Sequence, residues 1–253
     1  MFDLTGKTAL VTGAGSPRGI GRSVALALAG LGAKVYVGDI NLQGAKQVAQ
    51  EIINKGGEAK AGKLDITSAE DRARVLKDIY ASWVKLDILA NIAGITQPVT
   101  VLNTTEEDFD RIISVNLKGT FFLTKDALPK MIENGYGRVV NMSSVSAKRG
   151  GGVFGGAHYS AAKAGILAFS KALSREVAHH GITVNSVAPG LAATDIRGGL
   201  EGPEEQAKMS ADIPCKRLAT TEEIAAAVCY LASEEAGYIT GEEIDINGGS
   251  HMD

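Results

Sequence analysis

Short runs of β-branched and apolar residues alternate with helical stretches from one end of this chain to the other. TALVT (8–12) reads as a strand and GIGRSVALALAGLG (19–32) as a helix, and KVYVGD (34–39) with NLQGAKQVAQEIINKG (41–56) repeats the pair. A short strand near 59–64, a helix over 68–83 and the strand LDILAN (86–91) follow. The chain then reads as largely helical over 106–132. GRVVNMSS (137–144), ITVNSVA (182–188) and EEIDIN (242–247) read as further strands, with helices over 157–179 and 221–233. Strands that alternate with helices build a parallel sheet covered on both faces, with right-handed crossovers. The expectation is therefore an α/β fold with a doubly wound parallel sheet. No repeat, low-complexity tract or linker divides residues 1–253, so one domain is expected. The least regular stretch, 189–214, follows a strand end where ligands bind in open α/β sheets, which suggests a mobile substrate lid.

Bulk properties narrow the partners. The formal net charge is -3 and no long basic run occurs, which argues against nucleic acid or an anionic membrane as the main partner. Cys215 and Cys229 lie in no CxxC pair or His-rich cluster, so they read as reduced thiols of a cytoplasmic protein without a metal site. The opening MFDLTGKTALVTG runs almost at once into a strand and does not read as a signal peptide. No apolar stretch approaches the ~20 residues of a membrane-spanning helix.

The first strand runs into TGAGSPRGIG, with Gly13, Gly15, Gly19 and Gly21 around Arg18 and Ile20. Glycines between a first strand and a first helix permit a tight turn and close approach of backbone to a pyrophosphate. The helix N-terminus adds amide donors and a favourable dipole. This is the arrangement of a Rossmann-like dinucleotide site. Asp39 ends the second strand about 20 residues on, where a carboxylate can bind adenosine ribose hydroxyls and would repel a 2′-phosphate. That favours NAD. Arg18 argues the other way, since an arginine here could pair with a 2′-phosphate, so NADP stays open. Like-charge repulsion by Asp39 weighs more.

Tyr159 and Lys163 stand four residues apart in HYSAAKAG, on one face of a helix. An ammonium beside a phenol stabilises the phenolate, so Lys163 is expected to draw the Tyr159 pKa toward neutrality. A tyrosine tuned in that way is a general acid/base at an alcohol oxygen.

With these motifs the sequence resembles the short-chain dehydrogenase/reductase family along nearly its whole length. TGAGSPRGIG resembles the family's TGxxxGxG turn, and Asp65, followed by Ile66, its adenine-contacting aspartate. Asn91, Ile92, Ala93 and Gly94 resemble its NNAG motif, and Asn116 in VNLKG its catalytic asparagine. NMSS and YSAAK resemble its serine and Tyr-x-x-x-Lys, and Pro189, Gly190 and Thr194 its PGxxxT segment at the nicotinamide carboxamide. The resemblance implies that Tyr159 exchanges a proton with the substrate oxygen and that Ser144 hydrogen-bonds that oxygen. It also implies that Lys163 binds nicotinamide-ribose hydroxyls and that Asn116 holds a water of a proton relay. A homotetramer is implied as well.

The sequence departs from the family pattern in three places. Five residues rather than three separate Gly13 from Gly19, which reads as a two-residue insertion and leaves the direction of Arg18 open. The usual spacing to the tyrosine selects Ser146, whereas the strand-end anchor selects Ser144, which is preferred. Ile92 replaces the second asparagine of NNAG. Taken alone, Ser144 also reads as a strand-end cap and Thr194 as an N-cap. The substrate pocket is expected to involve Ser144, Ser146, Phe154, Tyr159 and Leu191, with Thr96, Gln97 and His158 nearby.

Three functions compete. The preferred one is an oxidoreductase moving a hydride between NAD(H) and a secondary alcohol or ketone, such as a polyol, sugar or hydroxy acid. The alternative is an NADPH-dependent 3-oxoacyl-thioester reductase. The third, a catalytically silent dinucleotide-binding protein, is opposed by the intact set of Asn116, Ser144, Tyr159 and Lys163.

Overall fold

The computed structural model of the protein describes residues 2–151, 155–197 and 202–252. Seven strands form one sheet: β1 Thr8–Thr12, β2 Lys34–Asp39, β3 Ala59–Lys63, β4 Ile88–Asn91, β5 Gly137–Met142, β6 Ile182–Pro189 and β7 Glu243–Ile246. Their order is β3-β2-β1-β4-β5-β6-β7 and every neighbouring pair is parallel. The chain walks outward from β1 to β3 and then returns to β4 on the other side of β1. The ends of β1 and β4 therefore form the topological switch point, where a crevice opens in such sheets. Thr12 closes that junction, because its Oγ1 accepts the amides of Ile92 and Ala93, each at 3.0 Å.

Alternate strand residues feed two core layers, as a period of two requires. Val11, Val35, Val37, Val140 and Val187 pack with helices α1 (Ile20–Gly30), α2 (Leu42–Asn54) and α9 (Thr221–Ala232). Leu10, Tyr36, Leu89, Val139 and Val184 pack on the other face with α3 (Ala69–Trp83), α5 (Thr120–Asn134) and α7 (Ala157–Val177). Side chains fix the helix starts. Asn41 caps α2, Ser68 caps α3, and full capping boxes open α9 (Thr220 with Glu223) and α4, Glu106–Ile113 (Thr105 with Asp108).

The segment expected to be largely helical over 106–132 is interrupted. Between α4 and α5 lies a π-helical turn, Ser114–Gly119, that widens the helix at Asn116. Two short helices were not foreseen: α6 (Ser146–Arg149) and α8 (Pro203–Ser210).

A buried polar ladder crosses the centre of the sheet. Asn91 Nδ2 donates to Thr124 Oγ1 (2.9 Å) on α5 and to Asn141 Oδ1 (2.8 Å) on β5. Asn141 Nδ2 donates to Ser170 Oγ (2.9 Å) on α7, and Ser186 Oγ on β6 donates to the same oxygen (2.9 Å). All five side chains are buried, so each bond replaces water that cannot reach it.

Candidate active site

A cavity of about 450 Å³ opens at the switch point, at the C-terminal ends of the strands. Its floor is the glycine turn. Gly13 has φ +65°, and a Cβ there would lie 2.6 Å from the Ala93 Cα. A Cβ on Gly21 would lie 2.3 Å from the Gly13 carbonyl oxygen. Both positions thus require glycine. The residues that lengthen the turn are taken up in a β-turn over 16–19, closed by Gly19 N–H donating to Ser16 O at 3.1 Å. Gly19 then opens α1 with no side chain capping its first turn. An uncapped helix N-terminus facing a glycine cradle suits a pyrophosphate, so these residues fit a dinucleotide.

At the adenosine end, Asp39 is held firmly. Its Oδ2 accepts the Gly15 amide (2.7 Å) and its Oδ1 the Asn41 amide (2.8 Å). Asp65 Oδ1 accepts from Thr67 N (2.9 Å) and Oγ1 (2.7 Å), and Asp65 lines the cavity with Ile40, Leu64 and Ile66. Three residues expected at the cofactor make contacts elsewhere in the protein. Gly15 serves Asp39 rather than the cavity wall. The Asn91 amide is spent inside the sheet on Thr124 and Asn141. Arg18 turns away from Asp39, because its Nε donates to Asp195 Oδ1 at 2.7 Å and its guanidinium forms an ion pair there.

At the other end Asn116, Ser144, Tyr159 and Lys163 meet with Pro189, Gly190 and Thr194. The π-helical turn lets the Asn116 side chain reach Ile95. Its Nδ2 donates to the Ile112 and Ile95 carbonyls, each at 3.0 Å, and its Oδ1 accepts the Ile95 amide at 3.3 Å. Lys163 is buried, and its Nζ donates to Met142 O at 2.8 Å. Gly94 makes room for both: a Cβ there would stand 2.7 Å from Asn116 Oδ1 and 3.3 Å from Lys163 Nζ. Ser143 Oγ donates to Lys163 O at 3.1 Å, tying the end of β5 to α7.

Burial dominates the electrostatics here. It pushes the Lys163 ammonium down to about 8. It also pushes the Tyr159 phenol above its ordinary value, and a hydrogen bond with Ser144 opposes that shift. Burial, and not the expected pull of Lys163, therefore sets the direction of the Tyr159 shift. Lys163 Nζ lies 5.7 Å from the centre of the Tyr159 ring, and desolvation disfavours both charged forms.

Ser144 lines the cavity and acts on the Tyr159 hydroxyl, holding its pKa down against the effect of burial. Ser146 lines the cavity and its amide donates to Ser144 Oγ at 3.1 Å. Leu191 lines the cavity, whereas Phe154 lies outside the described residues, as does part of the suggested lid, 198–201. Ile92 packs in the core, where the family's asparagine would have sat. His158 is buried, with Nε2 3.5 Å from Gln97 Oε1, and Gln97 Nε2 donates to Asp108 Oδ1 at 2.7 Å. Sequence reasoning missed Ser16 and Asp195, which line the cavity and bond each other across 179 positions. No helix of the described residues is long and apolar enough to cross a membrane. Cys215 and Cys229 are both free thiols.

Comparison with known proteins places the chain among relatives of the same fold. The family described as enoyl-(acyl carrier protein) reductase matches residues 13–251. An uncharacterised short-chain type dehydrogenase/reductase of Sinorhizobium fredii is 42% identical over 247 residues, 97% of this chain and 98% of the relative. The 3-oxoacyl-[acyl-carrier-protein] reductase of Escherichia coli is 42% identical over 251 residues, 99% of this chain and 100% of the relative. A crystal structure from Agrobacterium tumefaciens, given the provisional name gluconate dehydrogenase, superposes with a TM-score of 0.92 at 32% identity. That match covers 98% of this chain and 97% of the other.

Proposed function

This chain belongs to the short-chain dehydrogenase/reductase family, and from that premise we propose that it interconverts a secondary alcohol and a ketone with NAD(H). The observation that carries the cofactor reading is Asp39. Two backbone amides hold its carboxylate at the edge of the cavity at the end of β2, where a 2′-phosphate would meet a fixed negative charge. Arg18, the cation that could have offset that charge, is engaged by Asp195.

When bound, the nicotinamide cofactor supplies the hydride donor or acceptor. Gly13, Gly19, Ile20 and Gly21 would hold its pyrophosphate part, Asp39, Asp65 and Ile66 its adenosine, and Ala93, Gly94, Pro189, Gly190, Thr194 and Lys163 its nicotinamide half. Tyr159 keeps its proton at neutral pH because burial raises its pKa. Its hydroxyl is thus set to donate that proton to a substrate carbonyl oxygen, and in the reverse direction the phenolate would require the positive charges of Lys163 and of an oxidised nicotinamide to offset the burial. Ser144, hydrogen-bonded to Tyr159, steadies the substrate oxygen as charge develops. Lys163 keeps the site positive below about pH 8. Asn116 holds the Ile95 carbonyl beside it, where a water would connect Lys163 to solvent.

Polyols, sugars and hydroxy acids are the proposed substrates, and the structural relative named a gluconate dehydrogenase supports that choice. The second reading, an NADPH-dependent 3-oxoacyl-thioester reductase, is favoured by the name of the Escherichia coli relative. A cytoplasmic homotetramer belongs to the same proposal. Reduced-nicotinamide absorbance, followed over a panel of polyols, hydroxy acids, cyclic alcohols and 3-oxoacyl thioesters with NAD(H) and NADP(H), tests it. Turnover of one alcohol class with NAD(H), lost in Tyr159→Phe, is the expected result. Preference for NADPH with 3-oxoacyl thioesters would replace the first reading by the second.

A further inference from the structure

The lengthened glycine turn does more than cradle an anion. Both carboxylate oxygens of Asp195 accept from it: Oδ1 from Arg18 Nε at 2.7 Å and Oδ2 from Ser16 Oγ at 3.2 Å. Asp195 begins a short 3-10 turn directly after Thr194, and both residues line the cavity. Ser16 and Gly19 line the same cavity from the opposite wall. These bonds therefore bridge two walls, the glycine turn after β1 and the segment after β6, that are joined nowhere nearby in sequence.

We propose that Ser16, Arg18 and Asp195 form a clasp across the mouth of the cofactor cavity, and that opening it sets the rate at which cofactor leaves. The proposal rests on reading the cavity as a nicotinamide dinucleotide site. The strength of the clasp suits such a role. The Arg18 side chain is 55% exposed and that of Asp195 23%, so water and salt screen the pair and it opens readily. A fully buried pair would hold the wall shut and would leave an uncompensated charge whenever it broke. Arg18 and Asp195 are positioning residues here, since neither is assigned a contact with the reacting atoms. The same bonds explain why Arg18 does not stand beside Asp39.

Stopped-flow displacement of bound NADH by excess NAD, read by NADH fluorescence, measures release. Arg18→Ala and Asp195→Asn should each speed release about two- to fivefold, the range of an exposed pair. The double variant should release no faster than the faster single one, because one interaction is lost in all three. Raising NaCl to about 1 M should speed release from the natural protein by a larger factor than from the double variant. In the cofactor-free protein, amide hydrogen exchange over 191–197 should rise in Arg18→Ala. Unchanged release in both single variants, or effects that multiply in the double, would overturn the clasp. Failure of the natural protein to bind NADH would reject the cofactor reading instead. The exchange measurement would then decide the clasp alone, with unchanged exchange rejecting it.

Discussion

Replacing Lys163 with methionine should make the cofactor-free protein more stable at pH 7 while removing its turnover. The Lys163 ammonium is buried, and that burial lowers its pKa from the ordinary 10.5 to about 8. At ~1.4 kcal/mol per unit, carrying the charge at neutral pH costs roughly 3 kcal/mol. Methionine removes that cost with a side chain of similar length, but it also removes the bond to Met142 O, worth about 1–2 kcal/mol. The net gain at pH 7 is about 1–2 kcal/mol by that balance. The sign reverses at high pH. Between about 8 and 10.5 the unfolded chain binds a proton that the folded one has released, so the natural protein gains stability as pH rises through this window. The variant lacks that gain and should become the less stable of the two by about pH 10. Urea unfolding at both pH values, at one protein concentration, measures the difference. A deficit of equal size at both would falsify the claim that desolvation governs this site.

Asp39→Ala should weaken NAD binding about tenfold and raise NADP affinity relative to NAD, and an unchanged ratio of dissociation constants would remove Asp39 as the selector. Ser144→Ala should lower kcat about 10²- to 10³-fold while Ser146→Ala stays within about tenfold of the natural enzyme. Equal losses would undo the assignment made from the Ser144–Tyr159 hydrogen bond. Gly21→Ala drives a methyl into the Gly13 carbonyl and should abolish NADH binding and cost about 1–3 kcal/mol of stability. Normal NADH titration of that variant would contradict the packing of the glycine turn.

Local chemistry explains what the sequence made legible. TALVT and KVYVGD match β1 and β2 residue for residue, since each is an apolar run ended sharply by a glycine turn or an N-capping asparagine. Asn116, Ser144, Tyr159 and Lys163 could be picked out as candidates, and they line one cavity, because motif spacing survives folding onto one sheet end. The π-helical turn could not be read, because an i→i+5 bond leaves no periodic trace in SVNLKG. Helix α6 is too short to show a period. The two-residue insertion was countable, but the direction of Arg18 depends on a carboxylate 177 positions away. The Tyr159 pKa went the other way for a similar reason. Spacing shows the neighbouring ammonium, whereas burial emerges only when the strands and α7 close around it.

The ladder of Thr124, Asn91, Asn141, Ser170 and Ser186 constrains how this protein can be redesigned. Removing Asn91, Asn141 or Ser170 strands a buried polar partner, at about 1–3 kcal/mol, while exchanging a whole set for apolar residues of matching shape is nearly neutral. A wholly greasy sheet centre is thus reachable in one concerted jump but uphill by single steps at Asn91, Asn141 and Ser170. Random mutagenesis that samples one position at a time will keep returning Asn91, Asn141 and Ser170, whatever substrate is being selected for.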